Sequence, residues 1–308
     1  MSRIHEALRK AEQERAATQG GAPHATLTPA TVAKGAFPDP APASALIDET
    51  AAGIPHFGSP YSLEALLARC PQLDWKPDFS TMLFMNGNDG IRGTEEYRTL
   101  RSRLYHLREK MPLKALLVTS ALPREGKSFT AANLAQVLVR QHGRRVLLID
   151  GDLRGPRLHL MLGTTPGPGL SEYLQGNVDE FSVMQRGPLE NLFFIPSGSV
   201  TDNPAELVGN GRLQQLRQKI EPLFDWIIID SPPAVPVSDA SILAKACDGV
   251  VMVVRSNSTP SDAAKKARLE FPEESLVGVV LNGTNRDVAP YARYYYEAYE
   301  KKVTANKT

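Results

Sequence analysis

The chain holds 308 residues, 42% hydrophobic and 22% charged, with a formal net charge of +1. This is a globular composition with room for one large or two modest domains, and it carries no global field that would draw the protein to nucleic acid or an anionic membrane. The longest apolar runs, such as 249–254, fall far short of the about 20 residues a membrane span requires, so no direct span is expected.

The N-terminus lacks the apolar core of a secretory leader, and the expected address is the cytoplasm. Residues 1–16 read as a short helix, because Ile4, Ala7, Leu8 and Ala11 recur at helical spacing among charged residues. Its stripe is narrow and suits either docking to a partner or plain solvation. From Ala17 to Ala45 the chain is dominated by Ala, Pro, Gly and Thr. Such a composition cannot bury a core, and residues 17–80 are assigned to a largely disordered linker. Within that stretch Ser62 can open a helix over "SLEALLAR", with no evident surface to pack on. Cys70 and Cys247 make no metal or redox spacing and read as reduced thiols.

An ordered domain is expected over 81–288. "TEEYRTLRSRLYHLREK" reads as a helix with Thr94 as cap. Apolar strands and helical patterns then alternate: strand 114–120, helix 127–141, strands 144–150 and 191–196, helix 211–224, and strands 226–230, 249–255 and 276–282. Near-continuous apolar strands separated by helices imply a mostly parallel α/β sheet, doubly wound, with helices on both faces. In such sheets ligands bind beyond the carboxyl ends of the strands.

Two features meet at those ends. "ALPREGKS", residues 121–128, follows a strand and opens a helix. It fits a nucleotide phosphate loop with Ala in place of the first Gly. Backbone amides and the helix N-terminus would face the phosphates, Lys127 would reach the β- and γ-phosphates, and Gly126 would allow close approach. The second feature is acidic. Strand 144–150 ends at Asp150, with Asp152 and Arg154 following, and strand 226–230 ends at Asp230. Carboxylates at buried strand ends are costly unless paired or bound to metal. A strand-terminal Asp most often caps the next helix. Three beside a phosphate loop instead suit Mg²⁺ and acceptance of a proton from an attacking hydroxyl.

Together these motifs resemble the bacterial tyrosine kinases that regulate capsule and exopolysaccharide synthesis. That family combines a phosphate loop, an apolar strand with D-x-D-x-R, a strand ending D-x-P, an E-x-x-R-x-x-R helix ahead of the first strand, and a C-terminal tyrosine cluster. Here these are "ALPREGKS", "LLIDGDLR", "IIIDSPP", Glu95, Arg98 and Arg101 in "EEYRTLR", and "YARYYYEAYEKK". The resemblance spans residues 84–300.

The resemblance implies a P-loop fold of the MinD/ParA type and an ATP- and Mg²⁺-dependent protein-tyrosine autokinase. Pro123, Arg124, Glu125, Gly126, Lys127, Ser128 and Phe129 would hold ATP. Arg154 would stabilise either phosphate charge or the acidic cluster, and Asn282 would contact adenine. Lys127, Asp150, Asp152 and Asp230 would be catalytic, with Asp152 nearest the tyrosine hydroxyl. Ser128 and the three aspartates would hold the metal. Glu95, Arg98 and Arg101 would form the subunit interface of a homo-oligomeric ring; without the resemblance they read as a charged face with internal helix pairs. The implied partners are a separate membrane polysaccharide co-polymerase, which activates the kinase and recruits it to the inner face of the plasma membrane, and a protein-tyrosine phosphatase.

The chain departs from the family pattern at Arg124, where Gly is frequent, and in lacking the membrane-spanning activator domain fused to many relatives. Two other functions compete. A partitioning-type ATPase would carry K-G-G-x-G-K at the loop, where this chain has Leu122, Pro123 and Arg124. A non-enzymatic ATP-binding regulator of polysaccharide assembly would share the fold without the chemistry.

Five of the nine tyrosines, Tyr291, Tyr294, Tyr295, Tyr296 and Tyr299, fall in the tail assigned to 289–308. Tyr291, Tyr295 and Tyr299 could pack as one helical stripe, which leaves Tyr294 and Tyr296 pointing elsewhere. Beside a phosphate loop and three carboxylates, the tail reads as the enzyme's own substrate. Each phosphate adds about −1.5 to −2 charge, so an unmodified tail would dock and a phosphorylated one would leave.

Overall fold

A computed structural model describes residues 61–85 and 93–284 of the chain. Among the described residues there are seven strands: β1 (Ala115–Ser120), β2 (Val146–Asp150), β3 (Gln185–Arg186), β4 (Leu192–Ile195), β5 (Trp226–Asp230), β6 (Gly249–Arg255) and β7 (Leu276–Asn282). They form one sheet in the order β3-β4-β2-β5-β1-β6-β7. All neighbours are parallel except β3, which pairs antiparallel with β4. β1, β2 and β5 are buried at every position. Strands without a polar face require cover on both sides, and the expected doubly wound sheet is what forms.

Alternate strand residues feed two apolar cores. Leu117, Leu147, Phe193 and Ile229 face one side, where helix α7 (Arg212–Ile220) contributes Leu213, Leu216 and Ile220. Leu116, Leu148 and Ile228 face the other, against helix α3 (Lys127–Val139). That period of two is the geometry of a pleated strand. Helix α3 is buried around most of its circumference. The sheet lies on one side of it and helix α2 (Thr94–Arg108) on the other, where Tyr97 meets Phe129 with ring centroids 6.2 Å apart.

Residues 61–80 correct the linker assignment, because they are folded. Ser62 caps helix α1 (Leu63–Arg69), its Oγ accepting from the Ala65 amide at 3.1 Å. Leu66, Cys70 and Trp75 are buried. The strand-like contact of Gln72 with Arg186 and the amide bonds Lys76 N to Gly163 O (3.0 Å) and Asp78 N to Met161 O (2.9 Å) then lay the chain across the domain. The segment is aperiodic. A few large anchors and backbone hydrogen bonds hold it, and neither shows as a hydrophobic period. It reaches α3 through polar groups: fully buried Asn133 accepts from Leu83 N (2.8 Å) and donates to Thr81 O (2.8 Å) and Phe129 O (2.9 Å). Residues 1–60, with the expected N-terminal helix, and 285–308, with all five clustered tyrosines, lie outside the described residues.

Two boundaries move. Gly93, at φ +101, takes the cap position expected of Thr94, which is instead the first helical residue of α2. The helix expected over 211–224 stops at Ile220 and tightens into a 3₁₀ turn, Glu221–Leu223, at Pro222, which has no amide to continue the ladder. Helices α4 (Leu158–Leu162), α5 (Leu170–Gln175), α6 (Pro204–Val208), α8 (Asp239–Ala244) and α9 (Ser261–Leu269), with a 3₁₀ turn at Glu273–Ser275, complete the described elements. Among the described residues no helix is long and apolar enough to cross a membrane.

Replacing Asn133 by Ala strips partners from three backbone groups at once. The expected cost is about 2–3 kcal/mol in denaturant unfolding, with faster amide exchange at Leu83. Wild-type exchange at Leu83 would show that apolar contacts alone seat the segment 61–85.

Candidate phosphoryl-transfer site

The three central strands β2, β5 and β1 deliver the site. Asp150 ends β2 and Asp230 ends β5, and the two are cross-strand partners. Beyond β1 the loop 121–126 turns into α3 through Gly126, at φ +97. A Cβ there would lie 2.1 Å from Asn282 Nδ2, so glycine serves both the left-handed backbone and the close approach of β7's end. Gly151 is equally constrained. Its amide donates to Asp230 O at 2.9 Å, and a Cβ would lie 2.6 Å from that same oxygen. The residue between Asp150 and Asp152 must therefore be small for the two acidic strand ends to meet.

Lys127, the first residue of α3, points into this cluster. Its Nζ lies 2.8 Å from Asp152 Oδ2, 3.3 Å from Ser128 Oγ and 4.0 Å from Asp230 Oδ2. Asp152 also accepts from Gly155 N at 2.9 Å. Asp150 accepts from Leu158 N at 3.1 Å and from Asp152 N at 3.3 Å, which ties it to the start of α4. Asp230 is fully buried, and neither of its oxygens has a well-formed hydrogen bond.

Electrostatics follow from that crowding. Burial works to lower the Lys127 pKa, but the charges of Asp230, Asp152 and Asp150 overcome it and hold the ammonium above its ordinary value. Burial pushes Asp150 up, and the neighbouring Asp230 charge adds to it. Burial also pushes Asp230 up, against the pull of Lys127 and the nearby Ser128 hydroxyl. Among the described residues no three acidic, histidine or cysteine side chains converge on one point as a metal cage. The orphaned carboxylate of Asp230 beside a hydroxyl is nonetheless the donor set that suits Mg²⁺, which binds few protein oxygens and fills its shell with water and phosphate.

Other expected site residues are placed as follows. Pro123 and Arg124 are exposed at the loop tip, while Glu125 is turned inward and buried. Arg154 forms a bidentate pair with Asp239 of α8, Nε to Oδ2 at 2.8 Å and Nη2 to Oδ1 at 3.0 Å. Asp239, buried at 1% exposure, belongs to no motif and was not anticipated. Asn282 donates to Glu125 O at 2.9 Å and accepts from Gly283 N at 2.8 Å, so its amide engages the loop backbone. Phe129 and Asn282 both line a cavity of about 600 Å³ between α2 and β7, with Leu83, Tyr97 and Leu281. On α2, Glu95 pairs with Arg98, and Arg101 donates to Val137 O at 3.0 Å, at the C-terminal end of α3.

The Bacillus subtilis tyrosine-protein kinase YwqD is 35% identical to this chain over 205 residues, covering 66% of the chain and 85% of that protein. The chain belongs to the bacterial tyrosine kinase family. Solved structures agree: the kinase domain of Escherichia coli tyrosine kinase ETK (31% identity, TM-score 0.59, 63% of this chain and 77% of that one) and the chimerical protein CapA2B2 (28% identity, TM-score 0.63, 73% and 100%). No family model matches the chain. The kinase is thus a P-loop enzyme whose nucleotide-binding fold positions Lys127 and the acidic strand ends at one edge of the sheet.

Arg154 offers a direct test of what that side chain does. Arg154→Ala should lower the stability of the nucleotide-free kinase by about 2 kcal/mol in a urea titration, because it leaves the Asp239 carboxylate buried and unpaired. An arginine that contacted only phosphate would leave that value unchanged.

Proposed function

We propose that this kinase is an autokinase that transfers the γ-phosphate of ATP to its own C-terminal tyrosines, Tyr291, Tyr294, Tyr295, Tyr296 and Tyr299, acting between subunits. The observation that carries the reading is the position of Lys127, 2.8 Å from Asp152 and 4.0 Å from Asp230 at the mouth of the phosphate loop. Phosphoryl transfer needs positive charge at the γ-phosphate and an acceptor for the tyrosine proton, and this cluster offers both. On ATP binding Lys127 turns from Asp152 to the β- and γ-phosphates. Asp152, less enclosed than Asp150, then takes the phenolic proton as the tyrosine oxygen bonds to phosphorus. The bond to the bridging oxygen breaks, and ADP leaves with that electron pair.

Ser128 and the unpartnered Asp230 would hold Mg²⁺, with Asp150 and Asp152 adding negative charge around it, and the ion's charge would offset that of the phosphates. Loop residues 123–129 cradle the phosphates. The cavity lined by Phe129 and Asn282 suits the base, whereas Arg154 is held in its pair with Asp239. The exposed pair Glu95 and Arg98, with Arg101, supplies the contact of a homo-oligomeric ring. In this reading the enzyme works in capsule or exopolysaccharide production, a separate membrane co-polymerase recruits and activates it, and a phosphatase resets it. Phosphates accumulating on the tail are repelled by Asp150, Asp152 and Asp230, which loosens the ring.

Purified kinase supplied with ATP, Mg²⁺ and its activator should gain phosphotyrosine in the tail by mass spectrometry. Lys127→Met should slow this by about 100-fold or more, and changing all five tail tyrosines to Phe should abolish it. Phosphate release without phosphotyrosine would mark an ATPase switch instead.

A further inference from the structure

The phosphate loop is held from behind by residues outside every motif quoted above. Arg255 and Asn282 are cross-strand partners at the last rung of β6 and β7. Their side chains take two consecutive loop carbonyls: Arg255 Nη1 donates to Arg124 O at 3.1 Å, and Asn282 Nδ2 donates to Glu125 O at 2.9 Å. Gly283 N fixes the Asn282 amide by donating to its Oδ1 at 2.8 Å. A third tie comes from Thr259, just ahead of α9. Its Oγ1 accepts from Arg255 N at 2.9 Å, which leaves the hydroxyl proton to donate to Glu125 Oε1. The other Glu125 oxygen accepts from Leu122 N at 2.8 Å. Glu125 is only 3% exposed, so its carboxylate is spent inside the loop.

We propose that Arg255, Thr259 and Glu125, with Asn282, are positioning residues that brace the phosphate loop for nucleotide; the proposal rests on the nucleotide-binding reading above. The physical reason lies in the peptide unit. A trans peptide sets each C=O opposite the following N–H. Tying the carbonyls of Arg124 and Glu125 back to the ends of β6 and β7 therefore turns the amides of Glu125 and Gly126 to the opposite, open side of the loop. Outward-facing consecutive amides are what an anionic phosphate needs. The brace also explains how Arg124 sits at φ +66 where glycine would be unstrained. A non-glycine residue there is strained and persists only where its surroundings over-determine it.

The test uses the full chain and fluorescent ADP as the probe. Thr259→Val keeps the shape and removes both hydrogen bonds. It should weaken ADP binding about tenfold and raise the ATP KM by more than it lowers kcat. Thr259→Ser should restore affinity. Arg255→Met replaces an exposed side chain, so it should weaken binding several-fold while the thermal midpoint without nucleotide stays at the wild-type value. Wild-type affinity in both Thr259→Val and Arg255→Met overturns the brace. Loss of affinity in Thr259→Val that merely follows loss of folded protein, with Arg255→Met binding normally, overturns it too. Failure of the wild-type chain to bind ADP would remove the nucleotide reading, and the brace with it.

Discussion

One buried ammonium among three buried or nearly buried carboxylates is the constraint around which this structure is arranged. Lys127, Asp150, Asp152 and Asp230 leave a net charge of −2 when all are ionised, in a place almost closed to water. Interactions there are much stronger than on a surface, and unpaired charge costs several kcal/mol. Burial raises the pKa of both Asp150 and Asp230. A raised carboxyl binds its proton more tightly in the folded than in the unfolded chain. Folding therefore loses stability as pH climbs from the ordinary carboxylate range through the raised values. A cation bound there would relieve that penalty.

The rest of the fold can be read as what it takes to hold that crowd in place. Two adjacent strands must end level, which the pairing of Asp150 with Asp230 achieves. The residue between the first two acids must be glycine, because the Asp230 carbonyl occupies the space of its Cβ. The guanidinium that follows, Arg154, is neutralised by Asp239 at 2.8 and 3.0 Å, so it adds no net charge to the cluster. Lys127 must enter from a rigid base, and α3, packed on both sides, is that base.

Legibility in the sequence tracked the kind of force involved. β1, β2, β5, β6 and β7 were readable because fully buried parallel strands appear as unbroken apolar runs ending in charge. The meeting of Lys127, Asp150, Asp152 and Asp230 was legible because a helix start after one strand and acids at or just past the ends of two others must share one sheet edge. The segment 61–80 was not. Trp75, Leu66 and Cys70 anchor it singly, and Lys76 and Asp78 hold it through backbone amides that any residue carries. The five-residue helices α4 and α6 span barely more than one turn, too little for a period of 3.6 to show. Asp239 and Thr259 escaped notice for another reason: each acts on a residue more than 80 positions away, and a single sequence does not display such pairs.

Helix α3 joins these levels. Its first residue, Lys127, serves the acidic cluster, and its buried amides Asn133 and Gln136 hold the backbone of Leu83 and Phe84 at 2.8 and 3.3 Å. Its last turn receives Arg101 from α2 at Val137 O. Buried polar groups of this kind are costly unless fully partnered, and partnered they fix one arrangement where apolar contacts would permit several. The segment 61–85, α2 and the position of Lys127 are therefore referred to one rigid element. Contacts along the length of α3 thus bear on where its first residue, Lys127, sits among the carboxylates.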